Sequence, residues 1–107
     1  MKSQVVISQQ AESDIKHLYQ WAYNHAPMTA PRWYSKLGKA IHSLEDLPER
    51  YPLSPEGESY SLPLRQLIFG KRHGAIRILF TIEDTQITVV HCVRASRENL
   101  LREDIDL

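Results

Sequence analysis

Three short apolar runs in the second half of this 107-residue chain constrain its fold more than any other feature. The stretch from Leu64 to Arg97 reads LRQLIFGKRHGAIRILFTIEDTQITVVHCVRASR; its runs Leu64–Phe69, Ala75–Ile82 and Gln86–Val93 are rich in Ile, Val, Leu, Phe and Thr. The breakers GKRHG and EDTQ separate them, so the stretch predicts a three-stranded antiparallel meander. Glu83 and Asp84 are the only acids in this window and sit together at the second turn. Arg65, Lys71, Arg72, Arg77, Arg94 and Arg97 are spread along the rest, which gives an apolar sheet a basic surface.

Alternation says where those bases point. In the second run Ile76, Ile78, Phe80 and Ile82 share one face, and Arg77, Leu79, Thr81 and Glu83 the other. The first face needs a cover. In the third run Ile87, Val89, His91 and Val93 alternate with Thr88, Val90, Cys92 and Arg94, and the more polar set is expected on the open side with Arg77. In the first run Arg65 shares its phase with Leu67 and Phe69, which leaves its facing open.

The first half supplies the cover. Gln4 to Ser8 is short and β-branched, a fourth strand with Ser8 as helix N-cap. Ala11, Ile15, Leu18, Ala22 and Ala26 then recur at helical spacing, Glu12 and Asp14 suit the positive end of the dipole, His25 the negative end, and Pro27 ends the helix. A second helix is expected from Thr29 as cap and Pro31 in the first turn, with Trp33, Leu37, Ala40, Ile41, Leu44 and Leu47 as its stripe and Pro48 as its stop. Gly38 is placed where the two helices approach. Residues 49–63, with three of the six prolines, read as a long loop of the kind that is often functional. Ser96 caps an expected short C-terminal helix, Arg97 to Glu103. The fold class is therefore α+β, β-α-α-β-β-β, with an antiparallel helix hairpin packed on a curved antiparallel sheet.

A chain of this length forms a single domain, residues 1–107. Its zero formal charge argues against bulk adhesion to nucleic acid, yet four of the six acids after residue 60 follow Arg97, so a basic patch lies beside an acidic tail. The single cysteine, Cys92, reads as a small buried hydrophobe and gives no sign of an oxidising compartment. No signal peptide and no run of about 20 apolar residues is present, which points to a soluble, cytoplasmic protein with no membrane role.

Two clusters could carry chemistry. Arg65, Lys71, Arg72, His73 and Arg77 could hold a phosphate backbone or an acidic partner, although Lys71-Arg72-His73 also reads as a plain solvated turn and Arg77 as a partner of Glu83, Asp84 or a tail acid. His91 near Arg94 and Arg97 could act as a general base with arginines steadying a phosphorane, the roles that a ribonuclease needs, although a core histidine is the plainer reading. His17, His25, His42, His73 and His91 have no paired ligand at metal spacing, and there is no P-loop, GxSxG or GxGxxG. No cofactor is expected.

The ordered set of strand, helix pair with Leu44-Leu47-Pro48, proline-rich loop, Leu64-Arg65, GAIRILF and VHCVRASR resembles the RelE/ParE superfamily of bacterial type II toxin-antitoxin toxins, also called plasmid stabilisation proteins. The resemblance covers nearly the whole chain. It implies a toxin neutralised by a cognate antitoxin, with a homodimer or toxin-antitoxin hetero-oligomer as the assembly. RelE-like members are ribosome-dependent, metal-independent mRNA endoribonucleases (mRNA interferases); ParE-like members poison DNA gyrase. Carried over, Arg77 falls at the strand arginine that contacts phosphate and Arg94 at a second arginine; Arg65 or Lys71 stands in for other bases. The C-terminal tyrosine of the nucleases is missing, since Tyr19, Tyr23, Tyr34, Tyr51 and Tyr60 all precede the meander. The expected function is thus ParE-like gyrase inhibition, with the mRNA endoribonuclease (Arg77, His91 and Arg94 catalytic) as the alternative and a non-toxic, antitoxin-binding relic as a third.

Overall fold

Ser8 both ends a strand and starts a helix, and that double duty ties the two layers together. In the computed structural model, which describes residues 3–59, 62–71 and 74–95, β1 (Gln4–Ile7) leads directly into α1 (Gln9–His25). The Ser8 hydroxyl oxygen accepts the Ala11 N–H at 3.0 Å and its O–H donates to the Val90 carbonyl at 3.2 Å. One side chain therefore satisfies a helix-end amide and pins that end to the sheet. The second helix, α2 (Ala30–His42), carries Pro31 in its first turn as expected, but Thr29 caps by position only, its hydroxyl donating back to the Ala26 carbonyl.

After α2 the chain tightens into a 3-10 turn at Ser43–Glu45 and reaches Leu47 in the left-handed region at φ +49. Leu47 is 71% exposed, so it falls outside the helical stripe that Leu37, Ile41 and Leu44 bury. Further 3-10 turns at Pro48–Arg50 and Pro55–Ser59 give the proline-rich segment local structure. It then runs beside β2 (Leu64–Phe69): Ser54 N–H donates to the Leu64 carbonyl at 2.7 Å, and Gln66 N–H to the Pro52 carbonyl at 3.0 Å.

The meander forms as expected. β2 pairs antiparallel with β3 (Ile76–Glu83), and β3 with β4 (Gln86–Arg94). β1 joins the far side, in the order β1-β4-β3-β2, and runs parallel to β4, so the sheet is mixed. Helices and loop, not a hairpin, connect β1 to the meander, and such a long connection leaves a parallel pairing available. The expected C-terminal helix lies outside the described residues, as do Arg72, His73 and Arg97.

Strict alternation fails once, with consequences for the site. Phe80 lies opposite Val89 but Leu79 opposite His91, so β4 carries one extra residue, Val90, at a bulge. The phase of β4 slips there, and Cys92, not His91, follows Ile87 and Val89 into the core. That core packs Ala11, Leu18, Leu37, Ile41 and Leu44 against Ile76, Ile78 and Phe80 of β3. The opposite face of β3 is not open: Arg77, Leu79 and Thr81 are buried as well.

Candidate functional site

Arg77 is the largest departure from an exposed basic face. It is 1% exposed, in a strand buried on both sides, where an unpaired guanidinium could not persist. The proline-rich segment supplies the counter-charge. Arg77 Nη1 donates to Glu56 Oε2 at 2.7 Å and Nη2 to Oε1 at 2.6 Å, a parallel two-bond fork. Its Nε and Nη2 also donate to Gln66 Oε1 at 3.0 and 2.9 Å, and the Ser54 hydroxyl donates to Glu56. Sequence pattern pointed to Glu83, Asp84 or the tail as partners; the chosen acid comes from a segment with no periodicity to reveal it.

The Arg77 hydrogen bonds, opposed by desolvation and helped by Ser54, hold the Glu56 carboxyl down at about 2, from an ordinary 4.5. A lowered folded-state pKa means that the pair's stabilisation is fully present above about 4.5 and is lost as pH falls towards about 2. The Glu56 side chain is 43% exposed, so screening limits the size of the effect. In urea titrations followed by circular dichroism, the midpoint should fall more steeply across that acidic window for the natural chain than for Glu56→Gln.

Arg65 is likewise turned to structure: its Nη1 donates to the carbonyls of Tyr51 at 2.6 Å and Glu49 at 3.1 Å. Lys71 is exposed in the β2–β3 turn. His91, beside the bulge, is not in the core; its Nδ1 lies 3.2 Å from Asp14 Oδ2, which also accepts the Cys92 N–H at 3.0 Å. Asp14 therefore closes the edge of β4 beyond the end of β1. Burial, with the Asp14 charge adding to it, pushes the Cys92 thiol up to about 12. The native chain should resist iodoacetamide at pH 8 and be labelled only on unfolding, as read by mass spectrometry.

Arg94 is exposed and places its guanidinium 4.0 Å over the Trp21 ring. Asp14, His17, Leu18, Trp21, Val93 and Arg94 line a shallow groove of about 300 Å³ there. Adjacent strand positions point to opposite faces, and Arg77 lies opposite Val93 while Arg94 lies opposite Ile76, so the two arginines project to opposite sides of the sheet. They do not converge on one phosphate. Among the described residues no His, Cys, Asp and Glu group of three could hold a metal, and no helix is long and apolar enough to cross a membrane.

Two features went unseen in the sequence. Val5, Ile7, Ile15, Tyr34 and Ile41 line an apolar groove of about 140 Å³ between β1 and the helices. Gly38 lines the same groove with nothing within 4 Å of a Cβ built there, so it is not a point of close helix approach. Beside it, Tyr34 meets Tyr19 edge-on at 5.2 Å. Part of the signal was available, since Tyr19 and Tyr23 sit four residues apart on α1, whereas Tyr34 reaches them from α2.

The fold is similar to that of a chain in the chromosomal ParDE toxin-antitoxin system of Pseudomonas aeruginosa, with TM-score 0.70 and 13% identity over 89% of this chain and 98% of that one. It is also similar to a chain of the toxin-antitoxin complex RelBE2 from Mycobacterium tuberculosis, with TM-score 0.60 and 16% identity over 89% of this chain and 100% of that one. No curated protein matches the sequence. The family model for the ParE toxin of the type II toxin-antitoxin system parDE matches residues 5–100, and the chain belongs to that family.

Proposed function

We propose that this toxin-family chain inhibits DNA gyrase and is held inactive by a cognate antitoxin. The burial of Arg77 carries the choice of target. A metal-independent ribonuclease needs a base and at least one cation presented together to the scissile phosphate. Here the Arg77 fork is filled by Glu56, and Arg94 projects from the other side of the sheet. A gyrase inhibitor has no such requirement, because it acts by binding. The similarity to chains from two toxin-antitoxin systems supports a protein partner that covers the toxin.

The test is to add the purified chain to gyrase and supercoiled plasmid, and separately to translating ribosomes. Gyrase-dependent DNA cleavage with intact mRNA is the expected result. Ribosome-dependent mRNA cleavage without an effect on gyrase would replace this reading with the endoribonuclease, and silence in both assays, with normal growth on induction, would make the chain a non-toxic relic.

A further inference from the structure

One edge of the sheet carries nothing that would keep it from pairing. β1 is an edge strand, and its parallel register with β4 decides which of its backbone groups are already used. Gln4 N–H donates to the Thr85 carbonyl at 2.7 Å and Ser8 N–H to the Val89 carbonyl at 3.0 Å, so Gln4, Val6 and Ser8 face β4. Val5 and Ile7 lie between them and direct their N–H and C=O groups outward, with no hydrogen-bond partner among the described residues. Edges are commonly blunted by a charge, a proline or a bulge. Residues 3–11 contain no charge and no proline, and the bulge lies in β4. The strand is four residues long, which limits how strongly it pairs but leaves its free groups available. On the helix side of this edge, Val5 and Ile7 line the apolar groove with Tyr34, Gly38 and Ile41. Ile7 is 38% and Tyr34 48% exposed, and Gly38 leaves its part of the groove empty.

We propose that two copies of this chain pair through β1, antiparallel about a two-fold axis at Val6. The free groups are placed symmetrically for this: Val5 exchanges N–H···O=C bonds with Ile7 of the second copy, and Ile7 with its Val5, four bonds in all. Residues directly opposite in an antiparallel pair share a face, so each copy's Ile7 lies beside the other's Val5, over the groove that Gly38 leaves open. The two four-stranded sheets become one, with both helix pairs on the same side. Charge favours a second copy over another segment. The register sets Gln4 against Ser8 and Ser3 against Gln9, so no like charges meet, while an acidic or basic strand would find no counter-charge along residues 3–11. A few paired residues and one groove on each copy amount to roughly 1,000 Å² in total, the low end for a specific interface, so the dimer is weak and reversible. The pairing is a property of the chain alone and does not depend on the choice of target.

The test is sedimentation velocity of the full chain over about 1 to 200 μM, where the mass should rise with concentration from that of one chain to that of two. Ile7→Pro removes only an outward N–H, so β1 keeps its bonds to β4 and the circular dichroism spectrum is unchanged. Two of the four bonds between copies are lost, and dimerisation should weaken about ten-fold or more. Gly38→Leu fills the groove and suits a helix better than glycine, so it should weaken the dimer without loss of stability. Should the proline unsettle the strand, the leucine variant decides alone. Val6→Cys places two thiols across the axis in a non-hydrogen-bonded pair, with Cα atoms about 4.5 Å apart, within disulfide reach. Mild oxidation should then link the copies through that position, as read by mass spectrometry, while the buried Cys92 stays free. A single-chain mass at the highest concentration, a dimer indifferent to Gly38→Leu, or no link through Val6→Cys would each overturn the inference. A chain that traps gyrase but stays monomeric loses this inference and keeps the proposed function.

Discussion

Replacing Arg77 by alanine should destabilise the fold by about 3 kcal/mol, a loss that would masquerade as loss of a catalytic group in any toxicity assay. Removing one partner of a buried pair costs about 3–5 kcal/mol when the survivor is left charged and dry. Glu56 is 43% exposed and water can recover part of its solvation, which moves the expectation to the low end. The remainder comes from Gln66, which is 5% exposed and would keep a buried carbonyl oxygen without its donors, at about 1–3 kcal/mol. Arg77→Met should cost less, because it fills the space that alanine leaves empty. With a slope of about 1–3 kcal/mol per molar urea, the alanine variant should shift the midpoint by about 1 M or more at unchanged slope. A midpoint within experimental error of the natural chain would show that the fork contributes nothing.

The same residue shows what the sequence could and could not reveal. The helix pair, the Ser8 cap and the meander were legible because each is a local pattern: a 3.6-residue period, a polar residue at a helix start, β-branched runs between turns. Arg77 was placed on the correct face of β3 by alternation. That this face is also covered depends on Ser54 and Glu56, which approach from a segment whose prolines erase any period. Covered faces of both kinds give β3 a burial pattern that alternation cannot express.

The bulge at Val90 is the second illegible element. A period of two has no means of marking one surplus residue, so the alternation carried His91 into the core and Cys92 to the other face, although the residue type had already marked Cys92 as a buried hydrophobe. The structure reverses both, through the Ser8 and Asp14 side chains that bind the backbone on either side of the bulge. Those contacts join residues about eighty positions apart in sequence. The parallel direction of β1 was hidden for the same reason, since long connections permit either sense.

Phe80→Ala should be the most damaging single core change, at about 3–5 kcal/mol, a large share of the roughly 5–15 kcal/mol that holds a domain of this size. Phe80 is fully buried opposite Val89, next to the bulge, and it packs with α1 and α2 residues in the helix-side core. Its ring also meets Tyr51 at 6.0 Å and 88°, an edge contact worth about 0.5–1.5 kcal/mol more. Tyr51 and Glu56 belong to one segment, which is therefore held at two points, by Phe80 through an aromatic edge and by Arg77 through charge. If the segment moves as a unit, loosening one hold should weaken the other. The milder pair Phe80→Leu and Glu56→Gln tests this in a double-mutant cycle read by urea unfolding. Residues coupled through a shared backbone shift typically show about 0.5–3 kcal/mol of interaction energy, and a value in that range is expected here. Plain additivity would mean that Tyr51 and Glu56 are anchored independently and that the segment can open at either end alone.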